Sequence, residues 1–106
     1  MIHIPSSCHF PDSEMSSIAA CAGSGASVLA GAPADLWLTG EMSHHELLDA
    51  AHAGKSVILC EHSNSERGFL KVLAGKLSGE LWAGREEGAC PEIVVSKKDR
   101  DPVEIV

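Results

Sequence analysis

Short, unbroken apolar runs separated by amphipathic stretches set the pattern of this chain. The runs over residues 36–38 and 57–60 are typical of strands that are covered on both faces of a parallel sheet. Residues 16–22 predict a further strand, made of small residues. Two later runs, over residues 93–95 and 103–106, predict a fourth strand and a short edge strand. The pattern therefore predicts an α/β fold with a small, mainly parallel sheet of four to five strands and flanking helices.

Three helices are predicted between and after the first strands. A short one covers residues 26–29, and a second begins in the Ser43–Glu46 segment, whose serine and glutamate are spaced as a capping box. Gly54 ends that helix as a C′ residue. The Ser63–Glu66 segment is a second potential capping box and opens a third helix. The apolar stripe of this third helix is expected to be buried; it consists of Phe69, Leu70, Leu73 and Leu77.

The length of 106 residues allows one domain at most. Residues 1–16 contain two prolines, several serines and no clear period, so we expect an irregular amino-terminal arm. Residues 17–106 are expected to form the α/β domain.

Charge and cysteine spacing narrow the class of function. The net charge of −7 argues against direct nucleic-acid binding and against contact with an anionic membrane surface. The four cysteines form no CxxC pair, and no apolar run approaches the ~20 residues of a membrane span. No secretory signal is apparent. We therefore expect an intracellular protein, in the cytoplasm first, with the mitochondrion and the nucleus as alternatives.

His62 and Glu66 are the sharpest candidate site. Residues four apart lie on one side of a helical turn, and imidazole and carboxylate are suitable ligands for zinc, manganese, iron or cobalt. The alternative is that Glu66 caps the helix and His62 is an ordinary surface residue. Even an open catalytic site uses three protein ligands, so the set of two is incomplete.

Glu41, His44 and His45 are candidate catalytic residues near the end of the second strand. Glu41 is placed on the loop after that strand, as a general base or as an acceptor that orients a ligating histidine. Neighbours on a helix point about 100° apart, so at most one of His44 and His45 would face a cleft.

Four stretches of this sequence, in order, resemble the carboxyl-terminal half of the Nif-three-like (Ngg-one-interacting factor three-like) family, also described as GTP cyclohydrolase I type 2 homologues. They are CAGSG at 21–25, TGEMSHH at 39–45, ILCEHSNSERGF at 58–69 and DRDP at 99–102. The resemblance implies that residues 17–106 form one half of a fold with two related α/β halves. It also implies a dinuclear metal site and ring-shaped oligomers.

In that family, histidines and an aspartate of the amino-terminal half hold the metals together with a histidine and a glutamate of the carboxyl-terminal half. The last two match His62 and Glu66, and the resemblance places Thr39, Glu41 and the His44-His45 pair along the same cleft. The amino-terminal half is missing here, so the chain looks like a fragment, a truncated gene product or a half that needs a partner. Such a chain needs a separate amino-terminal half or another copy to complete the site.

Two functions are consistent with these expectations. The first is part of a metal-dependent hydrolase or GTP cyclohydrolase-like enzyme, with the chain alone expected to be inactive. The second is a non-catalytic interaction module that binds a transcriptional co-regulator, as the family's name indicates.

Overall fold

The computed structural model describes residues 15–83 and 91–103. The chain divides into two compact units, of which the first ends at Glu66 and the second begins at Arg67. The predicted arm over residues 1–16 and the predicted edge strand over residues 103–106 fall mainly outside the described residues. None of the helices among the described residues is long and apolar enough to cross a bilayer.

A three-stranded parallel sheet forms the first unit. The strands β1 (Ile18–Ser24), β2 (Leu36–Glu41) and β3 (Ser56–Leu59) lie side by side in sequence order, with β2 in the centre. The helices α1 (Ala26–Leu29) and α2 (His44–His52) make the two crossovers. The predicted α/β class with a parallel sheet is therefore confirmed.

The core of the first unit lies on one face of the sheet, under α1 and α2. Trp37 of β2 is buried there together with Leu29, Ala34 and Ala50. Ala50 belongs to the α2 face that was predicted to pack on the sheet. α1 contributes Leu29 to this core and α2 contributes Ala50, and both pack with the indole ring.

A carboxylate anchors the amino ends of the first two strands. Asp35 Oδ2 accepts hydrogen bonds from the backbone N–H and the hydroxyl of both Ser16 and Ser17, at 2.8–3.1 Å. These bonds, first the one from the Ser16 hydroxyl, lower the pKa of the Asp35 carboxyl. The contact fixes the start of β1 beside the start of β2, and so helps to set the register of the sheet.

The capping box predicted for α2 is present. Ser43 Oγ accepts from the Glu46 N–H at 3.3 Å, and Glu46 Oε2 accepts from the Ser43 N–H at 2.7 Å. The second bond, made to the ionised form, lowers the pKa of Glu46. Gly54 follows the helix with φ 73°, the left-handed backbone expected of a C′ residue.

The predicted count of four to five strands exceeds the three that the described residues contain. Residues 93–95 form no strand, and Val94 is 73% exposed. A short apolar run becomes a strand only when a neighbouring strand accepts its backbone and buries its side chains. The run itself carries no information on whether such a neighbour is available.

The predicted third helix is in fact two helices. α3 (His62–Arg67) ends before Gly68, and α4 (Leu70–Trp82) begins after Phe69. Ser63 lies inside α3 and not at its cap, so the predicted second capping box does not form. In the second unit, Arg67 Nε donates to Asp99 Oδ2 at 3.0 Å.

The apolar stripe of α4 was predicted to be buried, and this was wrong. Phe69, Leu73 and Leu77 are 39–53% exposed, and α4 contains no buried residue. Helical spacing shows which face of a helix is apolar, but it does not show what covers that face.

Candidate metal centre

The candidate site lies at the carboxyl edge of the sheet, where open parallel sheets place their ligands. β2 continues to Glu41, three residues beyond its predicted end, so Glu41 lies on the strand and not on the following loop. Thr39 of β2 is paired with Leu59, and its carbonyl accepts from the Cys60 N–H at 2.9 Å. The end of β2 and the chain leaving β3 are therefore held side by side.

A strained residue turns the chain from β3 into α3. Glu61 has φ 68°, and among residues 15–83 and 91–103 it is the one non-glycine residue with a left-handed backbone. Such a conformation costs on the order of 1–3 kcal/mol and persists only where the surroundings enforce it. Because of this turn, His62 becomes the first residue of α3 and its ring lies beside the end of β2.

The His62 ring lies between two carboxylates. Its Nδ1 is 2.8 Å from Glu41 Oε1, and its Nε2 is 3.4 Å from Glu66 Oε1. A carboxylate only accepts hydrogen bonds, so the short contact places a proton on Nδ1. In the neutral ring this leaves a lone pair on Nε2 that faces Glu66. A carboxylate that fixes the tautomer of a histidine in this way is the usual support of a metal-ligating imidazole.

The spacing between His62 and Glu66 fits a bound cation. At 3.4 Å the contact is longer than the ~2.9–3.0 Å of a typical N–H···O hydrogen bond. With Zn–N and Zn–O bonds of about 2.1 Å and a tetrahedral angle, the two ligand atoms would lie roughly 3.4 Å apart. The pair therefore has the donor types and the separation of two ligands of one tetrahedral ion.

Gly23, at the end of β1, adjoins this gap. A Cβ atom at this position would lie 2.7 Å from Glu66 Oε1 and 3.2 Å from His62 Nε2. Its backbone is also left-handed, with φ 71°. Sequence reasoning gave Gly23 no role at the site. The CAGSG motif was the available signal, since it was part of the resemblance.

Thr39 lies beneath the site and does not line it. Its side chain is 1% exposed, and its hydroxyl donates to the Gly23 carbonyl at 3.2 Å. This corrects the implication that Thr39 faces the cleft. Ser65, which was not singled out from the sequence, accepts from the Gly23 N–H at 2.8 Å and donates to the His62 carbonyl at 2.6 Å.

His44 and His45 occupy the first turn of α2 and are both exposed. Their rings contact each other edge to face, with centroids 5.9 Å apart. The described part of the chain shows no hydrogen bond or ion pair from either ring to the His62 site. It also contains no group of three or more His, Cys, Asp or Glu side chains that is placed to hold a metal ion.

The two carboxylates raise the pKa of His62. The hydrogen bond that Nδ1 donates to Glu41 is the largest cause, and the negative charges of Glu66 and Glu41 add to it, while desolvation acts in the opposite direction. The site is thus electrostatically suited to a cation on Nε2, which can be a proton or a metal ion. The two compete for the same lone pair.

Comparison with known proteins gives a consistent match. The sequence model of the family described as Duf34/NIF3 (NGG1p interacting factor 3) matches residues 3–102. The chain is 54% identical over 95 residues to NIF3-like protein 1 of Homo sapiens, covering 90% of this chain and 24% of that protein. It is 48% identical over 93 residues to Protein NIF3 homolog of Schizosaccharomyces pombe, covering 87% of this chain and 32% of that protein.

A third relative, NGG1-interacting factor 3 of Saccharomyces cerevisiae, is 48% identical over 91 residues, which cover 83% of this chain and 28% of the yeast protein. The chain thus spans about a quarter to a third of the length of these curated relatives.

Proposed function

The chain belongs to the Duf34/NIF3 family, and from this premise we propose that it supplies two ligands, His62 and Glu66, to a divalent metal site. The observation that carries the proposal is the arrangement of the His62 ring, with Nδ1 held by Glu41 and Nε2 facing Glu66. In this proposal Glu41 orients the ring and is not a general base, because its carboxylate is already engaged by Nδ1.

The metal is a borderline transition ion, namely zinc, manganese, iron or cobalt, because imidazole and carboxylate together suit these ions. Two ligands do not complete its coordination. The remaining ligands come from outside the described residues, either from a separate amino-terminal half or from another copy of the chain.

The activity proposed for the completed site is that of a metal-dependent hydrolase, with a GTP cyclohydrolase-like reaction as one form. A bound metal would supply Lewis acidity and lower the pKa of a water molecule. His62 and Glu66 hold the ion, while Gly23 keeps space beside it free of a side chain. His44 and His45 remain predictions for acid–base roles.

Cobalt binding tests the proposal, because Co²⁺ reports its own coordination through visible absorption. We expect the purified chain to bind Co²⁺ or Zn²⁺ at neutral pH, and Glu66→Gln to weaken binding at least about tenfold. Asp49→Asn is the matched control, since Asp49 is an exposed carboxylate on α2 and its loss changes the net charge by the same amount. Absence of binding, alone and with the amino-terminal half of a relative, would rule the proposal out.

A second candidate function is a protein-interaction module. It is supported by the exposed apolar side chains along α4 and by the name of the yeast relative, which refers to interaction with NGG1. A transcriptional co-regulator is the class of partner proposed, together with self-association. Sedimentation of the purified chain, alone and with a candidate partner, tests this. A Leu73→Glu variant should abolish association, and a clean monomer that binds no partner contradicts it.

A further inference from the structure

We propose that the hydroxyls of Thr39 and Ser65 form a clamp on Gly23 that sets the width of the gap between His62 and Glu66. Both are positioning residues in this account, and neither is a ligand. The inference rests on the proposed metal function and assigns roles to residues that neither the sequence motifs nor the ligand geometry had explained.

Gly23 is held at both of its backbone polar groups by side chains of two different elements. Its N–H donates to Ser65 Oγ of α3 at 2.8 Å, and its carbonyl accepts from Thr39 Oγ1 of β2 at 3.2 Å. A glycine with φ 71° has many other conformations of similar energy, because it has no Cβ to restrict it. The two hydroxyls select one of these conformations.

Ser65 links the same glycine to the ligand-bearing helix. Its hydroxyl accepts from Gly23 and donates to the His62 carbonyl at 2.6 Å, so both hydrogen-bonding capacities of one oxygen connect β1 to the first residue of α3. The hydrogen bonds of Ser65 therefore fix the distance between the Gly23 backbone and the His62 backbone.

The space around the clamp is filled to contact distance. A Cβ at Gly40 would lie 2.6 Å from both the Gly23 carbonyl oxygen and Ser65 Oγ, and 2.9 Å from His62 Cα. A Cβ at Gly25 would overlap the Thr39 hydroxyl. Two glycines thus make room for the two hydroxyls.

Ser65→Ala is the direct test, because alanine favours the helix and removes only the hydroxyl. The matched control is Ser63→Ala, since Ser63 is an exposed serine of the same helix. Thr39→Val removes the other hydroxyl from a site of similar shape, and Thr39→Ser retains it as the conservative variant. Circular dichroism confirms folding, and the Thr39 pair carries the test if Ser65→Ala does not fold.

Two measurements are made on each variant. One is hydrogen exchange at the Gly23 amide, followed by NMR. The other is Zn²⁺ affinity, measured by chelator competition. We expect Ser65→Ala to speed exchange at least about tenfold and to weaken Zn²⁺ binding about 10–100-fold, the range seen when an outer partner of a metal ligand is lost. Ser63→Ala and Thr39→Ser should leave both unchanged, whereas Thr39→Val should change both.

The clamp is overturned if Ser65→Ala leaves Gly23 exchange at the level of the Ser63→Ala control. It is also overturned if both serine variants weaken Zn²⁺ binding equally. If the unsubstituted chain binds no Zn²⁺, the proposed metal function fails, and the clamp is then decided by Gly23 exchange together with the ¹⁵N shifts of the His62 ring. Unchanged values in Ser65→Ala reject it, and altered values support it.

Discussion

Two helices of this chain begin with a histidine, and they begin in different ways. α2 starts at His44 behind Ser43, and Glu46 at its third position closes a capping box with that serine. α3 starts at His62 behind Glu61, which has a left-handed backbone. Both segments contain serine followed three residues later by glutamate, so their sequences predict the same start.

α3 begins two residues earlier than a Ser63 cap would place it. If α3 began after Ser63, Glu66 would occupy the third helical position and satisfy the cap. Since α3 begins at His62, Glu66 falls in the next turn, four residues after the histidine, and faces its ring at 3.4 Å. The glutamate therefore caps the helix in α2, whereas in α3 it faces the His62 ring.

The largest expected contrast lies in the histidines themselves. His62→Ala should weaken Zn²⁺ binding by at least about 100-fold, because it removes a ligand and loss of an outer partner alone costs about 10–100-fold. His44→Ala and His45→Ala should change affinity less than about twofold, since both rings are exposed and lie outside the site. Isothermal titration with the three variants checks this, and equal losses in all three would erase the contrast.

The next contrast is packing beneath the start of α3. Gly40→Ala should destabilise the fold by about 1–3 kcal/mol, because its Cβ would meet the Gly23 backbone and His62 Cα at less than 3 Å. Gly68→Ala is the control, since a Cβ there meets nothing within 4 Å. Urea unfolding measures both. A Gly40→Ala chain as stable as the control would show that the start of α3 is loosely packed.

A smaller contrast concerns Ser43 and Ser63, each of which is followed three residues later by glutamate. Ser43→Ala should cost about 1 kcal/mol of stability, the usual value of a lost N-cap. Ser63→Ala should stay within about 0.5 kcal/mol, because Ser63 lies inside α3 and caps nothing. Neither change should alter Zn²⁺ affinity. If Ser63→Ala cost as much as Ser43→Ala, α3 would begin where the sequence predicts and not at His62.

The smallest effect expected is on the pH dependence of stability without metal. The pKa of His62 is raised in the folded chain, so its charged ring stabilises the fold. This contribution is fully present below the usual imidazole pKa of about 6.5 and is lost as the pH rises through the raised value. The stability difference between the unsubstituted chain and His62→Gln should therefore shrink between pH 6 and pH 8.5. A difference that grows over this range would contradict the claim that the flanking carboxylates raise the pKa of His62.

These contrasts also show what the sequence could predict. The three parallel strands, the capping box of α2 and the pairing of His62 with Glu66 follow from period and spacing, which are local properties. The extension of β2 to Glu41 does not, because Thr39 and Glu41 acquire strand geometry from their neighbours across the sheet. The start of α3 depends on the left-handed backbone of Glu61, a conformation that the side chain of a non-glycine residue disfavours.

The roles of Gly23 and Ser65 could not be predicted from the sequence, for a different reason. They lie 42 residues apart, and their contact exists only once β1 and α3 meet at the edge of the sheet. The exposed stripe of α4 is the converse case: its period was read correctly, but the surroundings of a helix are not encoded in its spacing.

The most direct test of the central claim is ¹⁵N NMR of the His62 ring during a Zn²⁺ titration. We predict that Nδ1 stays protonated and bonded to Glu41, while the Nε2 resonance shifts as the metal binds the lone pair that faces Glu66. A ring whose Nε2 resonance does not move at saturating Zn²⁺, or whose metal binds through Nδ1, would contradict it.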